Sequence, residues 1–309
     1  MLFAVSGIEV SPWIPPAVSF IISFFTSMGG VSGAFLILPF QVSVLGFNTP
    51  AVSATNQLYN VVAIPGGVYR YIKEGRMVWP LMWAVIIGTL PGVLIGAVIR
   101  IKYLPDPRNF KMFVGLVLLY IGSRIIKDLF EKNKKKSDSD EFKNLIRKFK
   151  GAQINSFPRV SVKKFNFSHM VYEFYGESYD VSTLKIMLLS SIVGVVGGIY
   201  GIGGGAIMAP FFVTFFRLPV YTVAGAALMG TFVTSFVGVI FYQSLSVYYT
   251  GIAVAPDWAL GLLFGAGGIA GIYCGARMQK FMPSGFIKWL LAVCILFPAV
   301  KYIADFFIN

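Results

Sequence analysis

The sequence predicts an all-α membrane protein of about eight transmembrane helices, arranged as two homologous four-helix halves with a small β-containing insertion outside the membrane. Three observations predict this class. The chain of 309 residues is 56% hydrophobic and 13% charged, whereas soluble domains carry roughly 25% charged residues. Long stretches lack any charged side chain, the longest running from Val10 to Tyr69. An apolar block broken by glycines also occurs twice, within residues 15–69 and 187–242.

The apolar stretches predict where the chain crosses the membrane, because a helix needs roughly 20 apolar residues to span it. The spans are approximately residues 13–40, 50–69, 77–99, 109–127, 186–216, 220–249, 257–279 and 285–307. Glycine clusters interrupt the first and fifth spans, near Gly29 and Gly201. We therefore expect the first helix of each half to be broken or re-entrant.

A polar segment separates the two halves. Residues 128–184 begin with the Lys-rich run EKNKKKSDSDEF, which is too polar to enter lipid. The segments RVSVKKFNF and MVYEFYGESYDV then alternate in polarity, which predicts a small β-hairpin or sheet. The predicted domains are an N-terminal membrane repeat (1–127), an extramembrane loop with a β-hairpin (128–184) and a C-terminal membrane repeat (185–309).

The two halves can be aligned by shifting the sequence against itself. One constant shift pairs Gly30 with Gly201, Gly33 with Gly204, and Pro39 with Pro210. A slightly larger shift pairs Gly88 with Gly267, Gly92 with Gly271, and Gly96 with Gly275. Matches that recur in the same order indicate an internal duplication, which is typical of secondary transporters. The four-residue spacing of the second set predicts a ridge for close helix packing.

The basic residues indicate a membrane setting. The formal net charge of +13 comes from Lys and Arg in loops and at span ends, where they orient helices and contact lipid head groups. We expect no nucleic-acid partner. We expect the cytoplasmic membrane as location, with the termini and the long loop outside. Arg100, Arg124, Arg217 and Asp257 are expected at span ends, with their charges near the membrane surface.

Neither a cofactor, a metal nor catalysis is predicted. Cys274 and Cys294 both lie within apolar spans, so no metal cluster or disulfide framework is indicated. The run GIGGGA at Gly201–Ala206 matches a dinucleotide-binding fingerprint in form. That fingerprint requires an acidic residue about 20 positions later, whereas the next acid after Gly201 is Asp257. The chain is therefore not expected to be an enzyme.

The glycine breaks are candidate anion-binding positions. Glycine frees the backbone from helical geometry, and freed N–H groups at a helix N-terminus favour an anion. The candidates are Gly29, Gly30, Ser32 and Gly33 in the first break and Gly201, Gly203, Gly204 and Gly205 in the second. The alternative is that these glycines only allow close packing.

Neutral polar residues follow each break at membrane depth. Such side chains can hydrogen-bond an oxyanion without burying a charge. The candidates are Asn56, Gln57 and Asn60 after the first break, with Thr55 beside them, and Thr231, Thr234 and Ser235 after the second. For the hydroxyls, a bond to their own helix is an equal alternative.

The motifs resemble those of one transporter family. GVVGGIYGIGGGAIMAPFF, its first-half copy SMGGVSGAFLILPF, the following GFNTPAVSAT and the later GxxxGxxxG spans are similar to the TauE/SafE family of sulfite and organosulfonate exporters. The resemblance covers nearly everything except residues 128–184. The first copy departs from the pattern, since Ser32 and Ala34 stand where the second has Gly203 and Gly205.

The resemblance implies a transporter that exports small sulfur-containing anions such as sulfite or sulfonates. The expected partners are a small anionic substrate and the lipid bilayer, with a homo-oligomer left open. An alternative is a membrane sensor or assembly protein that recruits a partner through the 128–184 loop.

Overall fold

The structure is a computed structural model that describes residues 1–29, 32–73, 75–131, 160–174, 176–278 and 284–308. Its helices are α1 (Ile14–Gly29), α2 (Ala34–Ser43), α3 (Ala51–Ala63), α4 (Pro65–Lys73), α5 (Trp79–Lys102), α6 (Pro107–Glu131), α7 (Thr183–Tyr200), α8 (Gly204–Thr214), α9 (Val220–Leu245), α10 (Trp258–Met278) and α11 (Ser284–Ile308). Its strands are β1 (Leu2–Phe3), β2 (Ile8–Glu9), β3 (Ser161–Phe165), β4 (His169–Phe174) and β5 (Glu177–Ser182).

Within the described ranges, six helices are long and apolar enough to cross a membrane, namely α5, α6, α7, α9, α10 and α11. The sequence predicted eight spans, and the difference arises where the chain breaks. The predicted spans 13–40 and 186–216 are divided at their glycines, into α1 and α2 and into α7 and α8. The predicted span 50–69 is divided before Pro65, whose ring nitrogen cannot donate a helical hydrogen bond.

The helix α8 runs back alongside α7 instead of continuing it. A Cβ added to Gly197 would lie 2.7 Å from the carbonyl oxygen of Gly203, and one added to Gly204 would lie 3.2 Å from the Cα of Gly194. The reversal uses a positive φ at Gly201 (85°) and at Gly203 (71°), a region that glycine enters without steric cost. The pair α7–α8 therefore forms a helical hairpin.

The three-stranded antiparallel sheet β3–β4–β5 defines one side of the protein, which we call the sheet side. The hydroxyl of Tyr172 in β4 lies 2.9 Å from Thr222 Oγ1 in the first turn of α9. The N–H of Val160, just before β3, donates to the carbonyl of Gly75 between α4 and α5. Since α7 follows β5 directly, α7, α9 and α5 all begin on the sheet side.

The N-terminal strands β1 and β2 define the opposite side, which we call the hairpin side. Ser6, between these strands, donates from its hydroxyl to Asp257 Oδ2 over 2.9 Å, directly before α10. The N–H of Asp257 donates to Thr55 near the start of α3. The helices α1, α3 and α10 therefore begin on the hairpin side, and the pair α3–α4 connects the two sides.

Glycine ridges hold two pairs of helices together. A Cβ at Gly88, Gly92 or Gly96 of α5 would clash with the carbonyl oxygen of Met187, Ser191 or Val195 of α7, respectively. A Cβ at Gly267, Gly271 or Gly275 of α10 would clash in the same way with Pro16, Phe20 or Phe24 of α1. Both contacts join helices that run in the same direction. The predicted packing ridges are thus confirmed, and each ridge faces a helix of the other half of the sequence.

The predicted polar insertion contains the β3–β4–β5 sheet. A third strand extends the predicted hairpin because residues 177–182 pair back onto residues 169–174. The turn between them contains Gly176, whose φ is 81°. The Lys-rich part of the insertion, residues 132–159, lies outside the described residues.

Candidate functional site

The polar residues of α3 lie in the centre of the helix bundle. Thr55, Asn56, Gln57 and Asn60 have no exposed surface, although their run is the most polar part of any predicted span. The helix packs against α2, α9 and α10, so every face of this segment is covered by protein. Buried amides are costly unless they are hydrogen-bonded, and the partners of Asn60 therefore indicate what this segment holds together.

Asn60 connects both glycine breaks. Its Oδ1 accepts a hydrogen bond from the hydroxyl of Ser32 in the first break, over 3.2 Å. Its Nδ2 donates to the carbonyl of Ile202 in the second break, over 3.0 Å, and to Ser235 Oγ on α9, over 3.3 Å. The two breaks, far apart in sequence, therefore meet at one side-chain amide.

The second break ends in a helix N-terminus that no side chain caps. Gly203 precedes α8 with φ 71° and ψ 150°, and its position carries no side-chain hydrogen bond to the helix. A Cβ on Gly203 would lie 2.7 Å from Ser235 Oγ, and one on Gly205 would lie 2.6 Å from the backbone nitrogen of Thr231. Glycine is thus required here because α9 approaches the backbone of the turn itself.

The first break also ends in a helix N-terminus beside Asn60. The helix α2 begins after Gly33, and its first N–H, that of Ala34, donates to Ser32 Oγ over 3.3 Å. Asn56 donates to the carbonyl of Ala34 over 3.2 Å. The helices α2 and α8 both begin within two residues of a group that Asn60 contacts. Because the N-terminus of a helix carries a partial positive charge, two such charges lie near Asn60.

Several candidate residues have other neighbours. A Cβ on Gly204 would meet Thr89 of α5, and Gly201 packs against the backbone of Ser53. The hydroxyl of Thr234 donates to the carbonyl of Gly230 on its own helix. The structure therefore brings together Ser32, Asn56, Asn60, Gly203, Gly205, Thr231 and Ser235, although the Thr231 hydroxyl also donates to its own helix, at the carbonyl of Ala227. Gly201, Gly204 and Thr234 contact other groups.

Gly29 and Gln57 are not among these residues. Gly29 is the last residue of α1, and Gly30 lies outside the described residues. Gln57 is fully buried, and neither atom of its side-chain amide has a hydrogen-bond partner. It packs against Gly238 of α9.

The site is closed in this conformation. Asn60, Thr231 and Ser235 have no exposed surface, whereas Ser32 is partly exposed. An anion can therefore reach the Asn60 amide only after the surrounding helices separate.

Two charged residues were expected at the membrane surface and are instead buried. Arg100 has no exposed surface and Asp257 only 3%. Asp257 accepts a hydrogen bond from Ser6. It also accepts one from the N–H of Leu260 and so caps the start of α10. The sequence marks such residues only as charges at the end of an apolar stretch, and it does not reveal which loop folds over them.

Comparisons with known proteins cover the helices that build this site. The family model described as "Sulfite exporter TauE/SafE" matches residues 16–302. A curated relative, "Probable membrane transporter protein YunE" of Bacillus subtilis (strain 168), is 22% identical over 277 residues, which are 87% of this chain and 89% of the relative. No solved structure matches the chain.

Proposed function

Because the chain belongs to the TauE/SafE sulfite exporter family, we propose that this membrane transporter exports small sulfur-containing anions, such as sulfite or sulfonates, across the cytoplasmic membrane. The single observation that carries the substrate class is the position of Asn60 between the N-termini of α2 and α8. Helix N-termini attract anions, and amide and hydroxyl donors bind oxyanion oxygens without adding a counter-charge.

The neutral character of the site supports transport rather than permanent binding. Asn60, Ser235 and Thr231 are uncharged, so the empty site needs no neutralising partner when the anion leaves. Helix dipoles and a few neutral donors would bind a small oxyanion with moderate affinity. Moderate affinity suits a transport site, which must bind the anion on one side and release it on the other. The residues proposed to contact it are Ser32, Asn56, Asn60, Gly203, Gly205, Thr231 and Ser235.

We further propose that the protein consists of two inverted halves. The ridge at Gly88, Gly92 and Gly96 meets the first helix of the second half, and the ridge at Gly267, Gly271 and Gly275 meets the first helix of the first half. The contacts agree with the sequence alignment. Gly88 meets Met187 and Gly267 meets Pro16, and the shift that aligns the glycine breaks also pairs Pro16 with Met187. The first half begins on the hairpin side and the second on the sheet side. Rocking of such halves around a central site would give alternating access.

The fold also changes the proposed orientation. The hairpin and the sheet lie on opposite sides, which supports placing the N-terminus and the strands β3–β5 on opposite faces of the membrane, whereas the sequence prediction had the termini and the long loop outside. Basic residues are denser on the sheet side and follow the positive-inside rule there. Among the described residues they include Lys73, Arg76, Lys185 and Arg217. We therefore propose that the sheet side is cytoplasmic and the termini are outside.

The experiment is tracer flux in proteoliposomes with purified protein. Sulfite, thiosulfate, sulfate and a two-carbon sulfonate are offered separately, and protein-free liposomes and the Asn60→Leu variant are the controls. We expect flux of at least one sulfite or sulfonate substrate above both controls. Wild-type protein that moves none of the four anions would overturn the proposal and favour a sensor or assembly role.

A further inference from the structure

Arg100 is the one charged side chain without any exposed surface among the residues whose burial the structure describes. It lies in the last turn of α5, and its guanidinium stacks over the ring of Phe110 at 3.7 Å. Its Nη1 donates to the carbonyl of Leu104 and its Nη2 to the carbonyl of Asn48 over 3.4 Å. All of these partners are neutral.

The positive charge of Arg100 is uncompensated within the described part of the chain, where no carboxylate lies within ion-pair distance of it. Its Nε has no hydrogen-bond partner, and neither have the buried Asn48 Oδ1 and Thr49 Oγ1 on the adjoining turn. A neutral amide could satisfy the carbonyls of Leu104 and Asn48 without the cost of burying a charge. The two carbonyls therefore do not explain why this position carries a charge. Ionisable groups within membrane segments usually have a function.

A chain of contacts leads from the Arg100 turn of α5 to the second glycine break. Tyr242, near the end of α9, packs in one cluster with Ala97 and Ile101, which lie in the last turns of α5 on either side of Arg100. The Tyr242 hydroxyl donates to the carbonyl of Gly198 over 3.2 Å. Ser53 Oγ donates to the carbonyl of Ile199, and the Ser53 backbone packs against Gly201. Arg100 thus lies on the hairpin side of the turn whose Ile202 carbonyl binds Asn60.

We propose that Arg100 is a second anion-binding position, on the hairpin side of the Asn60 site, which takes a small oxyanion as it passes between that site and the outer solution. The proposal rests on the proposed anion transport. When the hairpin side opens, an oxyanion would replace the carbonyls of Leu104 and Asn48 as acceptor. It would gain charge-assisted, two-point hydrogen bonds from the guanidinium.

The first test compares Arg100→Gln, Arg100→Lys and the matched control Lys102→Gln, an exposed charge two residues further along. Initial rates of sulfite flux are measured over a range of concentrations in proteoliposomes. We expect Arg100→Gln to raise KM by about 10-fold to 100-fold, the range for one charged hydrogen bond. In Arg100→Lys the KM should rise less than in Arg100→Gln, because lysine keeps the charge but loses the two-point hydrogen bonds. The KM of Lys102→Gln should match that of wild type.

A second test uses wild-type protein, so it does not depend on how a variant folds. The protein in detergent is treated with phenylglyoxal, which modifies arginines, and labelled peptides are quantified by mass spectrometry. A two-carbon sulfonate, which unlike sulfite does not add to the aldehyde of phenylglyoxal, should slow labelling of Arg100 several-fold while Arg108, exposed on the same side, reacts as before.

The outcomes separate the two proposals. An unchanged KM for Arg100→Gln in a protein that transports sulfite, or labelling of Arg100 that the two-carbon sulfonate does not slow, would overturn the Arg100 site alone. Equal losses in Arg100→Lys and Arg100→Gln, with lowered thermal stability, would show a purely structural clamp. Wild-type protein without flux of any of the sulfur anions would overturn the proposed function and this site together.

Discussion

The side-chain amide of Asn60 donates to the backbone carbonyl of Ile202 over 3.0 Å. This bond joins α3, in the N-terminal half of the sequence, to the turn between α7 and α8 in the C-terminal half. Movement of one half against the other must break it or carry it along. Asn60 is therefore both a candidate ligand and part of the contact that keeps the site closed.

Replacing Asn60 by Leu should abolish most of the transport while leaving the fold intact. The variant loses three hydrogen bonds and leaves the carbonyl of Ile202 without its side-chain donor, at a cost of about 1–3 kcal/mol per unsatisfied group. We expect sulfite flux to fall at least about 10-fold, measured as initial rate per mole of reconstituted protein. The matched control is Thr234→Val, because the Thr234 hydroxyl bonds only to its own helix. Equal flux in the two variants would contradict the site.

Adding a methyl group at either glycine ridge should destabilise the protein. Gly92→Ala would press against Ser191 of α7, and Gly271→Ala against Phe20 of α1. Overpacking of this kind costs about 1–3 kcal/mol, so both variants should unfold at lower temperature in detergent. Gly66→Ala is the control, since no atom lies within 4 Å of its added methyl group. If Gly92→Ala and Gly66→Ala unfold at the same temperature, the ridge does not hold the helices.

The sequence predicted the helical membrane class, the two glycine breaks and the ridges because each depends on local residue types. Gly88, Gly92 and Gly96 indicate close packing wherever they occur with this spacing. The burial of Arg100 could not be predicted in this way. It depends on the loop at Asn48 and on Phe110 folding over the end of α5, and neither contact has a sequence pattern.

The candidate site could be predicted in part, because some of its residues are recognisable from their type alone. Polar residues at membrane depth are unusual, so Asn56 and Asn60 stand out in the sequence. Whether a glycine faces the site or packs elsewhere depends on the turn geometry, and this distinguishes Gly203, which faces Ser235, from Gly204, which faces Thr89. The split at Pro65 was missed because proline is tolerated within membrane helices.

Tyr172→Phe should loosen the sheet from the membrane helices. The Tyr172 hydroxyl is buried against Thr222, and burial raises the pKa of Tyr172 to about 12, an effect that the bond to Thr222 partly offsets. A raised pKa means that this stabilisation is complete below pH 10.0 and disappears as the pH approaches about 12. The difference in tyrosinate absorbance between wild type and Tyr172→Phe should titrate in that upper range. A difference that titrates at the ordinary tyrosine pKa would show that Tyr172 is not docked.

Near neutral pH, Tyr172→Phe should also increase protease cleavage within β3–β5, because one buried hydrogen bond contributes about 1 kcal/mol. Tyr248→Phe is the matched control, since the Tyr248 side chain is 81% exposed. Unchanged cleavage in Tyr172→Phe would mean that apolar contacts alone, such as those of Met170 and Phe174, hold the sheet.

Asp257→Asn should release the N-terminal hairpin from the hairpin side of the bundle. Asp257 Oδ2 accepts from both the N–H and the hydroxyl of Ser6, while Oδ1 caps α10 through Leu260. Asparagine can keep the helix cap with its amide oxygen, but its NH2 group then lies where Oδ2 accepted from Ser6, and an NH2 group cannot accept a hydrogen bond. The lost bonds to the charged carboxylate contribute about 1.5–3 kcal/mol each. Hydrogen exchange of a peptide covering residues 1–10 should therefore become roughly 10-fold faster. Ser6→Ala should give a smaller increase, since it keeps the backbone bond, and Ser11→Ala, an exposed serine nearby, should give none. Exchange as slow as in wild type for Asp257→Asn would show that the buried side chains of Phe3 and Ile8, rather than Asp257, fix the hairpin.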